Sequence, residues 1–431
     1  MNECIFRITQ SQINQVNEQF SSADTNTDAY ILVECGKAYA KISSVCERTI
    51  WCAHKILSLN ERKDYSHSNN YKMDFCIFTT SYNALITLQH SGITPQLWAT
   101  EIDRKLHVFL PNMEPISVNC VIGADLYFMF KNIDPLSEKQ QEDQFFERTS
   151  QAFGKGTTNF LANLTVAVIG ASGTGSIVAE QMVRLGVKRI ILVDDDIVET
   201  RNLGRILNST KTDAKEALYK TDMLKTAYEK MGLGAEVVSI PTIVAEADTI
   251  HAISVCDVIF GCLDSSDGRH HLNRISTFYN IPYIDMGVKL VSKEGRIEEI
   301  SGSVRYIIPG ESSLLSRKVY TLERLSSDTL RRKNPEEYRA RLNEKYIEGA
   351  SESSPAVISI NMQIASLAVL ELLARIHPFR GTHNDEIETV LVDLVEPHFI
   401  FESPSERDNS LIKYVGRGDC SPLLMLPDLG V

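Results

Sequence analysis

The sequence predicts an α/β fold in which a doubly wound, mostly parallel sheet follows a smaller α+β domain. From Leu164 onward, compact apolar runs alternate with amphipathic stretches of helical length. This pattern is typical of parallel strands with helices on both faces of the sheet. Before Asn132, short apolar runs are separated mainly by polar turns, which favours strands with few helices.

Five apolar runs predict the strands of the parallel sheet. They cover residues 166–169, 190–193, 237–240, 258–260 and 283–285. A polar and charged stretch at 311–355 predicts an excursion over the surface that is helical at 322–347. An apolar helix at 357–376 and a strand at 388–393 are expected after it.

A charged, glutamine-rich stretch at 134–147 lies between the two parts of the chain. Because such stretches are typical of domain boundaries, we divide the chain into a first domain at 1–140 and a second at 141–401. The remaining residues, 402–431, are rich in turns, and we expect them to form a mobile tail.

Charge and composition argue against several classes of protein. The 431 residues include 44 Lys or Arg and 56 Asp or Glu, for a net charge of −12. No basic run is interleaved with aromatic residues, so neither nucleic acid nor an anionic membrane is expected as a partner. No apolar run reaches the roughly 18 residues of a membrane span, and residues 1–10 lack the order of a signal peptide. We therefore expect a cytoplasmic protein.

The first chemical signal is a glycine-rich turn, Gly170-Ala-Ser-Gly-Thr-Gly175, between a strand and a helix. Glycines at Gly170, Gly173 and Gly175 let the backbone approach a phosphate, and the helix N-terminus supplies free N–H groups. Ser172 stands where a dinucleotide site has its central glycine, so a nicotinamide cofactor is less favoured. A tight turn without a ligand is the alternative.

The second signal is the acidic run Asp194 to Asp196 at the end of the next strand. Asp194 lies 19 residues after Gly175, at a spacing where an acidic side chain accepts both ribose hydroxyls. A solvated strand end is the alternative. Three basic side chains follow, at Arg201, Arg205 and Lys220, and this set of donors suits a triphosphate. We therefore count Asp194 and Asp196 among the nucleotide-binding candidates.

Together these motifs resemble the ThiF/MoeB family of bacterial type, whose Rossmann-like fold is shared with ubiquitin-activating enzymes. The resemblance covers about 146–401. It is carried by the glycine turn, Asp194-Asp-Asp-Ile-Val, Asn202-Leu-Gly-Arg205, Gly261-Cys-Leu-Asp-Ser-Ser-Asp267 with Arg269, and Ile284-Asp-Met-Gly287. It implies an adenylyltransferase that uses ATP and Mg²⁺ to adenylate the C-terminal carboxylate of a ubiquitin-like protein, with release of pyrophosphate.

The resemblance also implies a role for each matching position. Asp194 would hold the ribose, and Asp264 would hold Mg²⁺. The residues implied on the phosphates are Asn202, Arg205 and Lys220, where the two cations would stabilise charge as the carboxylate attacks. Lys215 is the alternative to Lys220, because it is nearer to Arg205 in the sequence.

Phe146-Glu-Arg148 resembles the segment that carries the family's arginine finger. In the family this arginine often enters the active site of a partner subunit, so Arg148 implies a homodimer or a paired half. A surface arginine on a helix is the alternative.

Two departures from the family stand out. Ser313 and Ser316 occupy positions where many relatives have a zinc-binding C-x-x-C pair, so no structural zinc is expected. Moreover, the chain has no cysteine between Cys262 and Cys420 to accept the acyl group. Either the enzyme stops at the acyl-adenylate, or a serine forms an oxyester. Candidate acceptors are Ser313, Ser316, Ser353 and Ser354, and Cys420, in the tail, is a poorer candidate.

The sequence thus indicates an ATP-dependent activating enzyme for a ubiquitin-like or sulfur-carrier protein with a free C-terminal tail. Its partner would be a ubiquitin-conjugating-enzyme-like protein or a sulfur acceptor. The alternatives are ThiF-like adenylation of a peptide or another small substrate, and a scaffold that binds ATP or the ubiquitin-like protein without catalysis. The first domain is left open as an inactive adenylation-like half, an MPN-like fold or a module that recruits the partner.

Overall fold

The computed structural model describes residues 2–21, 30–42, 47–57, 74–79, 97–102, 105–109, 116–117, 120–128, 144–343 and 356–429. Two sheets organise these residues. The predicted boundary near 140 lies outside the described part of the chain, as does most of the charged stretch that suggested it.

The first domain is built on a mixed sheet in the order β7-β6-β5-β4-β2-β3-β1-β8-β9. Its strands are β1 (Asn2–Thr9), β2 (Tyr30–Lys41), β3 (Glu47–Leu57), β4 (Asp74–Thr79), β5 (Leu97–Ile102), β6 (Lys105–Phe109), β7 (Ile116–Ser117), β8 (Cys120–Ile122) and β9 (Leu126–Phe128). One helix, α1 (Gln10–Ser21), follows β1. The long strands β2 and β3 form an antiparallel pair, and β1 runs parallel to β3.

The second domain contains the predicted parallel sheet, in the order β12-β11-β10-β13-β14-β15-β16-β17. Its strands are β10 (Thr165–Ile169), β11 (Arg189–Val193), β12 (Glu236–Ile240), β13 (Val258–Gly261), β14 (Tyr283–Lys293), β15 (Arg296–Ile307), β16 (Thr389–Asp393) and β17 (His398–Glu402). The five predicted strands are confirmed as β10 to β14 and are parallel to one another. The last three strands extend the sheet in antiparallel fashion.

Helices cover both faces of this sheet, which confirms the α/β class. The helices described in this domain are α2 (Glu147–Leu161), α3 (Gly173–Arg184), α4 (Lys211–Lys215), α5 (Lys220–Lys230), α6 (Ala247–Ser254), α7 (Ser266–Tyr279), α8 (Leu322–Lys333), α9 (Pro335–Asn343) and α10 (Ile358–Ile376). Successive side chains of β10 point to opposite faces, so Val166 and Val168 pack with α3 and α10, whereas Ala167 and Ile169 pack with α6 and α7.

The two domains share part of one hydrophobic core. Ile5, Ala38 and Ile50 of the first sheet lie in the same buried cluster as Ile253 of α6 and Phe278 of α7. The first domain therefore packs directly on the helix layer of the second.

The excursion contains two helices, α8 and α9, which confirms the helical prediction as far as Asn343. The chain leaves the helical conformation at Asn334, as expected for a residue that precedes proline. Residues 344–355 lie outside the described part of the chain.

The tail, which the sequence led us to expect as a mobile segment, packs against both domains. Gly416 donates from its backbone to the oxygen of Thr277 at 2.9 Å, and Asp419 donates to Lys37 at 2.9 Å. Leu423 and Leu424 are buried in the core shared by the two domains. The tail therefore links α7 to β2, because its few apolar residues find a surface formed by both domains.

Among the described residues, α10 alone is long and apolar enough to span a membrane. However, 61% of its apolar window is buried, and it packs against α3 and the central sheet. These contacts are those of a core helix in this fold.

Candidate functional site

The glycine turn lies between the end of β10 and the start of α3. Gly170 has a φ of 95°, a conformation that favours glycine, and its N–H donates to the oxygen of Val193 at 2.8 Å. A β-carbon on Gly170 would lie 2.6 Å from the backbone oxygen of Cys262. A β-carbon on Gly175 would lie 1.7 Å from the backbone oxygen of Gly170, and one on Gly173 would lie 2.2 Å from Asn361 Nδ2. All three glycines are therefore required for close packing at the N-terminus of α3.

Asp194 follows β11 and is fixed against this turn. Its carboxylate accepts hydrogen bonds from the backbone N–H of Ala171 at 2.7 Å and of Asp196 at 2.9 Å. Burial raises the pKa of Asp194, although the Lys220 ammonium and the two backbone donors oppose this rise. The side chain thus lies beside the glycine turn, where the sequence places the ribose.

Lys220 is the first residue of α5 and is almost fully buried. Its Nζ lies 2.5 Å from Asp196 Oδ2 and 3.4 Å from Asp194 Oδ1. Lys215, by contrast, is exposed at the end of α4. The geometry therefore favours Lys220 over Lys215 as the lysine of the site.

Arg205 and Asn202 lie on the connection after Asp196. Asn202 is buried in the short 3₁₀ turn Thr200–Asn202. Its backbone oxygen accepts a hydrogen bond from the backbone N–H of Arg205 at 3.0 Å. The Cδ of Arg205 would lie 3.4 Å from a β-carbon on Gly173, so this side chain contacts the turn. Arg201 is exposed and pairs with Glu199, so it is not one of the cations gathered at the turn.

Asn361 is a polar residue of the site that sequence reasoning missed. It lies in the first turn of α10, is 5% exposed and contacts Gly173. Its sequence signal is weak, because it is one of several polar residues in a mostly apolar helix. The fold, and not the local pattern, brings this amide to the N-terminus of α3.

Asp264 lies in the loop between β13 and α7, and its side chain is exposed. Beside it, Arg269 donates from Nε to the fully buried carboxylate of Asp285 at 2.9 Å, and Arg305 donates to the same carboxylate at 3.0 Å. Burial lowers the pKa of Arg269, but the charges of Asp285 and Asp264 raise it above its ordinary value. Asp264 is thus an exposed carboxylate at the end of the strand next to β10.

Arg148 is exposed in the first turn of α2. Phe146, two positions earlier, is buried against Gly186, and a β-carbon on Gly186 would lie 2.0 Å from the Phe146 ring. The start of α2 is therefore fixed while Arg148 faces solvent, and its role as a finger stays a prediction.

The candidate acyl acceptors differ in their surroundings. Ser313 is 3% exposed, and its hydroxyl donates to Asp408 at 2.6 Å. Ser316 is exposed, and its hydroxyl donates to the backbone oxygen of Ser313 at 3.1 Å. Ser353 and Ser354 lie outside the described residues. The burial of Ser313 and its bond to Asp408 therefore argue against this serine as the acyl acceptor.

Two thiols, Cys262 beside the glycine turn and Cys420 in the tail, lie in environments that disfavour the thiolate. Cys262 contacts the glycine turn, and burial raises its pKa well above the usual range. Cys420 is half-buried near Pro422, and burial raises its pKa as well. Since the thiolate is the nucleophilic form, neither environment activates the cysteine.

Comparison with known proteins gives one family. The ThiF family matches residues 146–411, which is more than half of the chain and contains every candidate residue described above except Cys420.

Ubiquitin-like modifier-activating enzyme 5 of Bombyx mori is 28% identical over 162 residues, which cover 35% of this chain and 38% of that protein. The tRNA threonylcarbamoyladenosine dehydratase of Bacillus subtilis (strain 168) is 37% identical over 95 residues, which cover 22% of this chain and 37% of that protein. The chain therefore matches less than half the length of these curated relatives. A crystal structure of E. coli MccB with MccA-N7isoASN has a TM-score of 0.49 and 17% identity, covering 63% of this chain and 75% of MccB.

Proposed function

Because this chain belongs to the ThiF family, we propose that it is an ATP-dependent activating enzyme. It adenylates the C-terminal carboxylate of a ubiquitin-like or sulfur-carrier protein and passes the acyl group to a conjugating-enzyme-like partner. The observation that carries the proposal is the meeting of Asp194, Lys220 and Arg205 at the glycine turn, with Asp264 at the end of the neighbouring strand. The resemblance of part of the chain to a ubiquitin-like modifier-activating enzyme supports the class of substrate.

The chemistry of these residues fits ATP. The first N–H groups of α3 have no acceptor within their own helix, and the three glycines keep side chains away from them, so the turn suits a phosphate. Lys220 and Arg205 supply positive charge, and Asp194 supplies an acceptor for the ribose hydroxyls.

In the proposed step, a carboxylate oxygen of the substrate attacks the α-phosphorus of ATP. A new P–O bond forms, the bond from the α-phosphorus to the bridging oxygen breaks, and pyrophosphate leaves with the bonding electrons. Arg205 and Lys220 stabilise the charge that develops, and this positioning is most of what phosphoryl transfer needs from a protein. Asp264 would hold Mg²⁺, which would neutralise phosphate charge.

The acyl-adenylate is proposed to pass directly to the acceptor, because Ser313 is buried and neither thiol described above is activated. A serine oxyester on Ser316, Ser353 or Ser354 is the alternative. An adduct of the substrate that survives thiol reductant but is lost to hydroxylamine would establish the oxyester. Absence of any adduct during active turnover would support direct transfer.

ATP–pyrophosphate exchange tests the adenylation. We expect exchange only with a carrier protein whose C-terminal tail is intact, and a loss of about 100-fold in Asp264→Ala. Asp385→Ala, at an exposed residue of the 3₁₀ turn Asn384–Glu386, is the matched control. Exchange with free peptides but with no carrier would favour the small-substrate alternative. ATP binding without exchange on any substrate would favour a scaffold.

A homodimer that shares Arg148 is also part of the proposal. Arg148→Ala and Asp264→Ala would then each be inactive alone. If subunits exchange at random, half of the dimers in an equal mixture contain one subunit of each variant, and one of the two sites in such a dimer is intact. The mixture should therefore regain about a quarter of wild-type activity. A mixture without recovery, under conditions where labelled subunits do exchange, would contradict this part.

A further inference from the structure

We propose that helix α8 of the excursion positions Asp264 by holding the start of α7, and that Asp328 and Arg332 are the positioning residues. This inference rests on the proposed function, in which Asp264 holds Mg²⁺. It gives the excursion a defined task in the adenylation step.

The first contact is made by Asp328, which is 8% exposed. Its Oδ2 accepts a hydrogen bond from the backbone N–H of Ser266 at 2.8 Å. Ser266 is the first residue of α7 and lies two positions after Asp264. The first N–H groups of a helix have no partner within the helix, and here a carboxylate from another helix supplies one.

The second contact involves Asp267, the next residue of α7. Its carboxylate accepts from Thr329 Oγ1 at 2.7 Å and from Arg332 Nε at 2.6 Å. Asp328 and Arg332 are four positions apart and therefore share one face of α8. This face binds the first two residues of α7 through a backbone group and a side chain.

The other end of the Asp264 loop is attached to the glycine turn. The backbone N–H of Cys262 donates to the oxygen of Ile169 at 2.8 Å, where β10 ends. The loop thus runs from a strand contact at Cys262 to a helix contact at Ser266. Asp264, exposed midway between them, is set relative to the glycine turn by both attachments.

The same start of α7 is also tied to the sheet through Arg269 and the buried Asp285. Because the bond between those two residues does not depend on α8, loss of the α8 contacts should leave α7 in place. The loop before it would then be free to vary. The expected defect is therefore in metal use and not in the fold.

The test compares Arg332→Ala with Arg331→Ala, its exposed neighbour on α8, and Asp328→Ala with Asp328→Asn, which keeps an acceptor for Ser266. The readout is the Mg²⁺ concentration that gives half-maximal ATP–pyrophosphate exchange. Partners that orient a metal ligand typically contribute 10-fold to 100-fold in metal affinity or activity. We expect a rise of about 10-fold in Arg332→Ala and Asp328→Ala, with near wild-type values in Arg331→Ala and Asp328→Asn.

Two further measurements separate the possible failures. ATP binding without Mg²⁺ and the urea unfolding midpoint should stay near wild type in all four variants, which excludes general unfolding. If Asp264→Ala abolishes exchange but Arg332→Ala and Asp328→Ala keep the wild-type Mg²⁺ dependence, the inference is wrong and the proposed function stands. If Asp264→Ala itself leaves exchange unchanged, the assignment of Asp264 is wrong.

Discussion

Arg7 lies at the junction of the two domains with no exposed surface, and replacing it with methionine tests how strongly the domains depend on each other. Its guanidinium donates to the backbone oxygens of Ser254 at 2.8 Å, Cys256 at 2.5 Å and Tyr279 at 3.0 Å. Ser254 and Tyr279 end α6 and α7, where unpaired carbonyls form the negative end of the helix dipole. Methionine keeps an apolar stem but supplies no donor to these oxygens.

The magnitude follows from the three hydrogen bonds. Each bond to a charged group contributes about 1.5–3 kcal/mol. The Nε of Arg7 has no partner among the described residues, so burial of the guanidinium offsets part of this gain. We therefore expect Arg7→Met to lower the free energy of unfolding by roughly 3–5 kcal/mol, a large share of the stability of a typical protein.

Urea unfolding with two probes measures the loss. The chain's two tryptophans, Trp51 and Trp98, lie in β3 and β5, so their fluorescence reports the first domain. Far-UV circular dichroism mainly reports the helices of the second domain. The two transitions should coincide in the wild type, and in Arg7→Met the fluorescence transition should move to lower urea. The exposed Arg296→Met is the control, and an Arg7→Met protein with unchanged midpoints would refute the reasoning.

Three other predictions concern the candidate site and its surroundings. Lys220→Met should slow ATP–pyrophosphate exchange about 100-fold. Lys215 is exposed, so Lys215→Met should keep a nearly wild-type exchange rate, and equal losses in the two variants would contradict the choice of Lys220. Burial lowers the pKa of His270 to about 4, so the folded protein favours the neutral ring. The free energy of unfolding should therefore fall as the pH drops from about 6.5 towards 4. The fall should be on the order of 3 kcal/mol larger in the wild type than in His270→Gln, and parallel pH profiles of the urea midpoint in the two proteins would contradict this prediction. Atomic absorption should find only trace zinc, because the Ser313 hydroxyl binds Asp408 where a metal-binding thiol would be needed; one zinc per chain would overturn this.

The central sheet could be predicted because its strands are buried on both faces. Every residue of β10 and β11 is buried, so both strands read as continuous apolar runs. The candidate residues at the ends of these strands could be predicted for a related reason. The carboxyl ends of parallel strands meet at one edge of the sheet, so order along the chain is enough to bring the glycine turn, Asp194 and Asp264 to that edge.

Contacts between distant segments left no such signal. Asn361 reaches Gly173 only because α10 packs on α3, and the spacing of residues in α10 says nothing about this. The tail looked mobile because its residues have little regular structure of their own. Its backbone hydrogen bonds to Thr277 and Lys37 depend on a surface that exists only after both domains have folded.

These long-range contacts converge on α7. Its last residue, Tyr279, is held by Arg7, and Asn280 after it donates to the oxygen of Ala53 at 3.0 Å. Its first residues are held by Asp328 and Arg332 of α8. The first domain and the excursion thus fix opposite ends of the helix that follows the Asp264 loop. Since a displacement of about 1 Å at a reacting centre can reduce the rate about 100-fold, we expect both to influence adenylation without contacting ATP. The first domain would then serve the site through α7.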